Sequence, residues 1–357
     1  MPGWPTQHIA QVVGSFTTIC ALDALVSHGV TQENKTQENK TQENKTDEIY
    51  NLTKGATVCL VTGKGGVGKT TVARYIAHLA ALSSPNVLLV RLDDFTNLVQ
   101  SVAEGSGMGD GQSADRSEEE KKFASQPIED SFKTMKLEPH EVLVDYLADH
   151  SLGQVASRLI STGIIGVVAT AIPGIKDLLL LGKLKQLEQT GDYDLIVVDL
   201  PASGHALSFL TSPAGLAEVA RVGPLKAQAD DVLEMLKDPA RVSCVMVTIA
   251  EETPVQEAIE LNEAISDKTT LYVASLVVNK VLAPIVVGDV ELESSPADAR
   301  AAWAYRQSKF QSQMHQIERL MEEFDQTIFS ITAIEDDRLK VPIADQWTKW
   351  SMTTLRK

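Results

Sequence analysis

The chain has 357 residues, 43% of them hydrophobic and 22% charged, and a formal net charge of −16. That is enough apolar material for one large α/β domain, alone or with a helical insertion. Basic residues are scattered with no Lys/Arg-rich run, so the acidic surface argues against nucleic acid and anionic lipid as main partners.

The three cysteines, Cys20, Cys59 and Cys244, are far apart and no C-x-x-C occurs. Neither a structural zinc site nor a redox pair is therefore expected. Cys59 and Cys244 sit in apolar strand-like runs and read as small buried hydrophobes, and the compartment reads as reducing cytosol. Residues 9–30 contain Asp23 and His28. The apolar run Thr162 to Leu181 is broken by Pro173 and Lys176-Asp177. Neither is a convincing membrane span, and the second reads as a packed helical hairpin.

Three perfect copies of Thr-Gln-Glu-Asn-Lys fill 31–45. Their composition buries nothing, so 1–50 is expected to be a disordered leader and 51–357 a single domain. The first strand is expected at 57–62. It runs directly into Gly63-Lys64-Gly65-Gly66-Val67-Gly68-Lys69-Thr70, and a helix-like segment starts at Thr71. G-x-x-x-x-G-K-[ST] between strand and helix is a P-loop: converging backbone amides and a helix N-terminus bind phosphate. Lys69 is expected on the β- and γ-phosphates of ATP, and the Thr70 hydroxyl on Mg²⁺. The same residues spell G-x-G-x-x-G, but a dinucleotide turn has no use for the Lys-Thr pair. Lys64, one residue into the loop, gives the deviant Walker A form K-G-G-x-G-K-T. A lysine there points away from its own phosphates toward nucleotide on a facing subunit; the plainer reading is a solvated loop lysine.

Further strands are expected at 86–92, 193–199, 242–249 and 271–279, with a weaker one at 327–334. They are short continuous apolar runs separated by helix-length segments, the pattern of parallel strands buried on both faces. The fold is therefore expected to be α/β, a doubly wound, mostly parallel sheet of the P-loop type with an added helical layer. The second strand ends in Val90-Arg91-Leu92-Asp93-Asp94. An acid there can orient the attacking water or accept its proton, or can be a simple turn residue. Residues 104–130 are rich in Gly, Ser and Glu and read as a long mobile loop. Segments 140–190 and 296–325 read as helical, either as a packed layer or as a groove for a partner. The run Leu195-Ile196-Val197-Val198-Asp199 has the Walker B form, with Asp199 serving Mg²⁺. In the loop after it, Gly204 offers close backbone approach to phosphate. His205 either senses the phosphate or packs against the loop.

These motifs together resemble the ArsA-type ATPases, a deviant Walker A family related to the Min and Par proteins. It includes the arsenical pump-driving ATPase and the ATPase that targets tail-anchored membrane proteins. The resemblance runs from about residue 55 to 335. Thr62 through Thr71 is similar to the family P-loop, with Gly63, Gly65, Gly66, Val67, Gly68, Lys69, Thr70 and Thr71 as its nucleotide-binding positions. Asp199 through Leu210 resembles switch II, and Val247 through Glu257 resembles V-T-x-P-E-x-x-P-V-x-E. Val277-Val278-Asn279-Lys280 resembles the strand whose asparagine reads adenine, which gives Asn279 that role. Residues 171–183 and 223–230 are similar to bacterial, especially actinobacterial, members.

The family's switch I, D-P-A-H-[NS]-L, is degenerate here: Asp93-Asp94-Phe95-Thr96-Asn97-Leu98 keeps the first aspartate and loses Pro-Ala-His. Asp93 is then the catalytic-aspartate match, and turnover is expected to be slow. The zinc C-x-x-C and the arsenic-binding cysteines have no counterpart. With one P-loop, a sandwich dimer needs a second chain, the same or a related ATPase. The resemblance implies a cytoplasmic Mg²⁺-dependent ATPase working as a dimer, with Lys64 acting across the interface. The first use considered is handling a hydrophobic helix client or membrane protein. The alternatives are energising anion or arsenite efflux and Min/Par-like positioning. Trp347-Thr348-Lys349-Trp350 is too short a basic hint for the last.

Overall fold

The computed structural model describes residues 47–92, 131–149, 174–284, 295–333 and 352–356. Its strands are β1 (Val58–Gly63), β2 (Val87–Leu92), β3 (Lys133–Leu137), β4 (Leu195–Asp199), β5 (Val242–Ile249), β6 (Tyr272–Val281), β7 (Thr327–Thr332) and β8 (Met352–Arg356). They form one sheet in the order β3-β2-β4-β1-β5-β6-β7-β8. All pairings are parallel except β7 with β8.

The central strands need no polar face because both sides are covered. Along β1, Val58 and Leu60 enter one core cluster, and Cys59 and Val61 the other. The same alternation runs through Ile196 and Val198 against Leu195 and Val197 in β4, as the two-residue period of a strand dictates. One face carries α1 (Lys69–Ala81), which buries Val72, Tyr75, Ile76 and Leu79. The other face carries α2 (Pro139–Asp149), α3 (Ile175–Thr190), α4 (Ser203–Val219), α5 (Pro224–Lys237), α6 (Glu252–Lys268) and α7 (Ala297–Glu323). Helix α3 buries four consecutive leucines, Leu178 to Leu181, because α2, α4 and α5 pack around it.

Five of the expected strands appear as β1, β2, β4, β5 and β6, and the weaker one as β7. Two were not read from sequence. β3 (Lys-Thr-Met-Lys-Leu) and β8 (Met-Thr-Thr-Leu-Arg) lie at the two sheet edges, where one-sided pairing leaves no continuous apolar run. The described residues start ahead of the expected boundary at residue 51. A helical segment over 47–53 packs Ile49 and fully buried Leu52 on the α1 side, and the Leu52 carbonyl accepts from Ser275 Oγ at 2.8 Å. The repeats at 31–45, the 104–130 segment and residues 150–173 of the 140–190 segment lie outside the described residues. Among the described residues no helix is long and apolar enough to cross a membrane.

Candidate functional site

The strand order changes direction at β1, which has β4 on one side and β5 on the other. In open α/β sheets ligands lie at the C-terminal ends of strands beside such a point. There β1 becomes the P-loop. Gly63, at φ 150, lies so close to β5 that a Cβ would sit 2.1 Å from the Val247 carbonyl oxygen. Any side chain would therefore force the two strands apart. The loop closes at Gly68, the residue before α1, in a left-handed conformation (φ 91). A Cβ on Gly68 would meet Asn279 Nδ2 at 2.5 Å. No side chain caps α1 and no acid occupies its first turn, so its leading amides and positive dipole end are open to an anion.

Thr70 Oγ1 donates to Asp199 Oδ2 at 2.7 Å, joining the first turn of α1 to the end of β4. The other carboxylate oxygen, Asp199 Oδ1, is buried with no hydrogen-bond partner. Burial pushes the Asp199 pKa up. The Thr70 hydrogen bond and the positive charges of Lys69, Arg91 and Arg74 pull against it without cancelling it. A hydroxyl and a carboxylate with an orphaned oxygen, set at a phosphate-binding helix terminus, form a donor set that fits Mg²⁺. Lys69 Nζ donates to the Lys64 carbonyl at 3.1 Å, which folds it along the loop.

Asn279, at the end of β6, is 3% exposed. Its Nδ2 donates to the Val67 carbonyl at 2.9 Å, and its Oδ1 accepts from the Lys280 amide at 2.9 Å. The side chain expected to read adenine thus braces the P-loop, and both ends of its amide are engaged. Lys64 also differs from the simplest expectation: its ammonium is 2.5 Å from Glu257 Oε1 of α6 in the same chain. Glu257 was not singled out as a functional residue from sequence, although it closes the V-T-x-P-E-x-x-P-V-x-E match.

The loop after β4 returns to the P-loop, with Ala202 Cβ 4.0 Å from where a Cβ on Gly65 would sit. Gly204 and His205 lie in the exposed first turn of α4. Asp177, in the first turn of α3, is buried enough that its pKa is raised, and the charges of Lys176 and His205 oppose that rise. Asp93 lies outside the described residues.

Residues 56–228 match the model of the anion-transporting ATPase family. The protein "ATPase BagA" of Mycobacterium tuberculosis is 29% identical over 233 residues, 63% of this chain and 65% of that protein. The "ATPase GET3" of Candida glabrata is 27% identical over 307 residues, 74% of this chain and 81% of the relative. A "putative arsenical pump-driving ATPase" of Halobacterium salinarum is 26% identical over 235 residues, 60% of this chain and 34% of the relative. The chain thus spans just under two thirds of the length of its mycobacterial relatives, which agree with the actinobacterial resemblance of segments 171–183 and 223–230. Residues 56–228 thus match the anion-transporting ATPase model, and the relatives and an eight-stranded, mostly parallel sheet with a P-loop at its centre agree with an ArsA-type ATPase.

Proposed function

We propose that the chain is a cytoplasmic Mg²⁺-dependent ATPase whose ATP-driven dimerisation acts on a hydrophobic protein client or membrane partner. The observation that carries the ATPase part is the junction of Thr70 and Asp199 at the mouth of the P-loop. The amides of Gly65 through Thr71 bind the phosphates, and Lys69 leaves the Lys64 carbonyl to meet the β- and γ-phosphates. Thr70 and Asp199 would hold Mg²⁺, which would supply neutralisation of the charge on the phosphates. Asp93, by the family match, orients a water toward the γ-phosphorus and receives its proton as the bond to ADP breaks. The dimer reading rests on Lys64, one residue into the loop, as in the deviant Walker A form K-G-G-x-G-K-T. The second chain is a like copy or a related ATPase.

A hydrophobic partner is supported by the outer corner between α4 and α5, where Val219 and Val222 are 81% and 86% exposed. An arsenite-linked role has weaker support. Cys59 and Cys244 are fully buried with their thiols pushed up, that of Cys244 to about 12, and they enter opposite core clusters. Neutral thiols on two faces of a sheet do not make a soft-metal site.

The test is phosphate release from Mg·ATP by wild type and Lys69→Ala, with sedimentation of each in ATP and in ADP. The reading expects release and an ATP-induced dimer in wild type and neither in the variant. Release that is equal in the two proteins overturns it.

A further inference from the structure

The ends of β2 and β4 set Arg91 beside Asp199. The two are register partners on adjacent parallel strands, so their backbones lie about 5 Å apart. Side-chain alternation fixes the direction of Arg91. Leu89 joins the core cluster on the α1 side and Val90 the opposite one, so Arg91 returns to the α1 side. Asp199 follows Val197 to the same side and meets Thr70 there. Arg74 lies one helical turn beyond Thr70 on α1, which is the face that Thr70 presents. Both guanidiniums act electrostatically on Asp199.

Among the described residues Arg74 and Arg91 share one carboxylate, that of Asp199. Among the described residues neither arginine makes a salt bridge or hydrogen bond. The other register partner of Arg91, Lys136, adds no acid, and its ammonium is 3.1 Å from Glu138 Oε1. Arg91 is exposed, so its guanidinium can move. Two guanidiniums at the mouth of a phosphate loop suit an anionic ligand, and a guanidinium fork matches phosphate oxygens.

We propose that Arg91, flanked by Arg74, is a phosphate-binding residue of this chain's own nucleotide site, reaching the terminal phosphate of a nucleoside triphosphate from the β2 edge. The inference rests on the ATP-site reading and deepens it. Such a contact is made to triphosphate and not to diphosphate, so Arg91 sets the preference for ATP over ADP.

The experiment titrates fluorescent ATP and ADP analogues, with Mg²⁺, into wild type, Arg91→Gln, Arg91→Lys and Lys69→Ala, with thermal melts alongside. Arg91→Gln is expected to weaken ATP binding about tenfold and ADP binding by less than about twofold. Arg91→Lys should recover part of the loss, and it carries the test if the glutamine variant melts early. Equal weakening of ATP and ADP, or no weakening, overturns the proposal provided that Lys69→Ala loses both ligands. Binding unchanged in Lys69→Ala fails the nucleotide site itself, and the Arg91 proposal with it.

Discussion

The Lys64 ammonium is 2.5 Å from Glu257 Oε1, a contact between the P-loop and α6 within one chain. Both side chains are 35% exposed, and pairs this open to solvent contribute about 0–1 kcal/mol. The contact can therefore hold the lysine in one direction but cannot lock it there. If Lys64 serves a facing nucleotide, it must first leave Glu257.

Glu257→Gln should then favour the dimer. At low protein concentration, turnover is expected to rise about twofold to fivefold, the range that a pair of up to about 1 kcal/mol allows. Lys64→Ala should lower turnover in both backgrounds while sparing ATP binding, because its contact forms mainly in the transition state. Turnover measured against protein concentration checks both points. Rates indifferent to either substitution would remove Lys64 from catalysis.

Asn279→Ala should damage the loop before it touches any base. It strands the Val67 carbonyl and the Lys280 amide, both now bonded to a side chain that is 3% exposed. Leaving such groups unmet costs about 1–3 kcal/mol. Urea unfolding without nucleotide should show that loss. A variant as stable as wild type, but selectively weaker for adenine than for guanine nucleotides, would instead support base reading alone.

Gly63→Ala is expected to be among the most harmful single-methyl additions in the chain. Its new Cβ would lie 2.1 Å from a backbone oxygen of the neighbouring central strand, and strand backbone cannot swing aside as a side chain can. A destabilisation of about 2–4 kcal/mol is expected. Gly191→Ala is the control, because that position is left-handed at φ 69 with nothing within 4 Å and carries only about 1–2 kcal/mol of backbone strain. Paired chemical denaturation curves should rank Gly63→Ala as the worse of the two.

What could be read in advance was what is local in sequence. The P-loop spans eight residues, and Asp199 ends four apolar residues of one strand, so each motif contains its own evidence. The contacts that tie these motifs together are not local. Glu257 meets Lys64 across 193 positions, and Asn279 meets Val67 across 212; no period or spacing encodes either. Arg91 sat in a run that was read for its aspartates, and its relation to Asp199 needed the strand register. The edge strands β3 and β8 were missed because the buried-strand signal weakens where a strand has one neighbour.

The start of the domain is a related case. Thr53 Oγ1 donates to the Ile49 carbonyl at 3.0 Å, and the Lys54 amide donates to the Tyr50 carbonyl at 2.6 Å. Beginning the chain at Leu52 should therefore fray the turn that seats Leu52 under β6. A chain beginning at Asp47 should melt several degrees higher, since about 1–2 kcal/mol is at stake in the Ile49 packing and the turn. Equal melting temperatures would show that the turn is dispensable.

Asp199 joins stability to function through its buried carboxylate. Its folded-state pKa is raised above the ordinary carboxylate value, chiefly by burial. A raised acid binds its proton more tightly in the folded than in the unfolded state. Its contribution to stability is then fully present below the unfolded pKa and is lost as pH rises through the folded one. Ionising this half-buried, partly unpartnered carboxylate therefore costs the nucleotide-free protein stability. Asp199→Asn should remove that penalty and raise the melting temperature of the nucleotide-free protein at pH 7, with the gain shrinking toward pH 4. The same change should abolish the stabilisation that Mg²⁺ adds in the presence of ATP, because the amide offers a weaker cation ligand. Melting curves with and without Mg·ATP across that pH range give both readings. An Asp199→Asn protein that melts lower than wild type at pH 7 without nucleotide would show that the bond from Thr70 outweighs the burial of the charge.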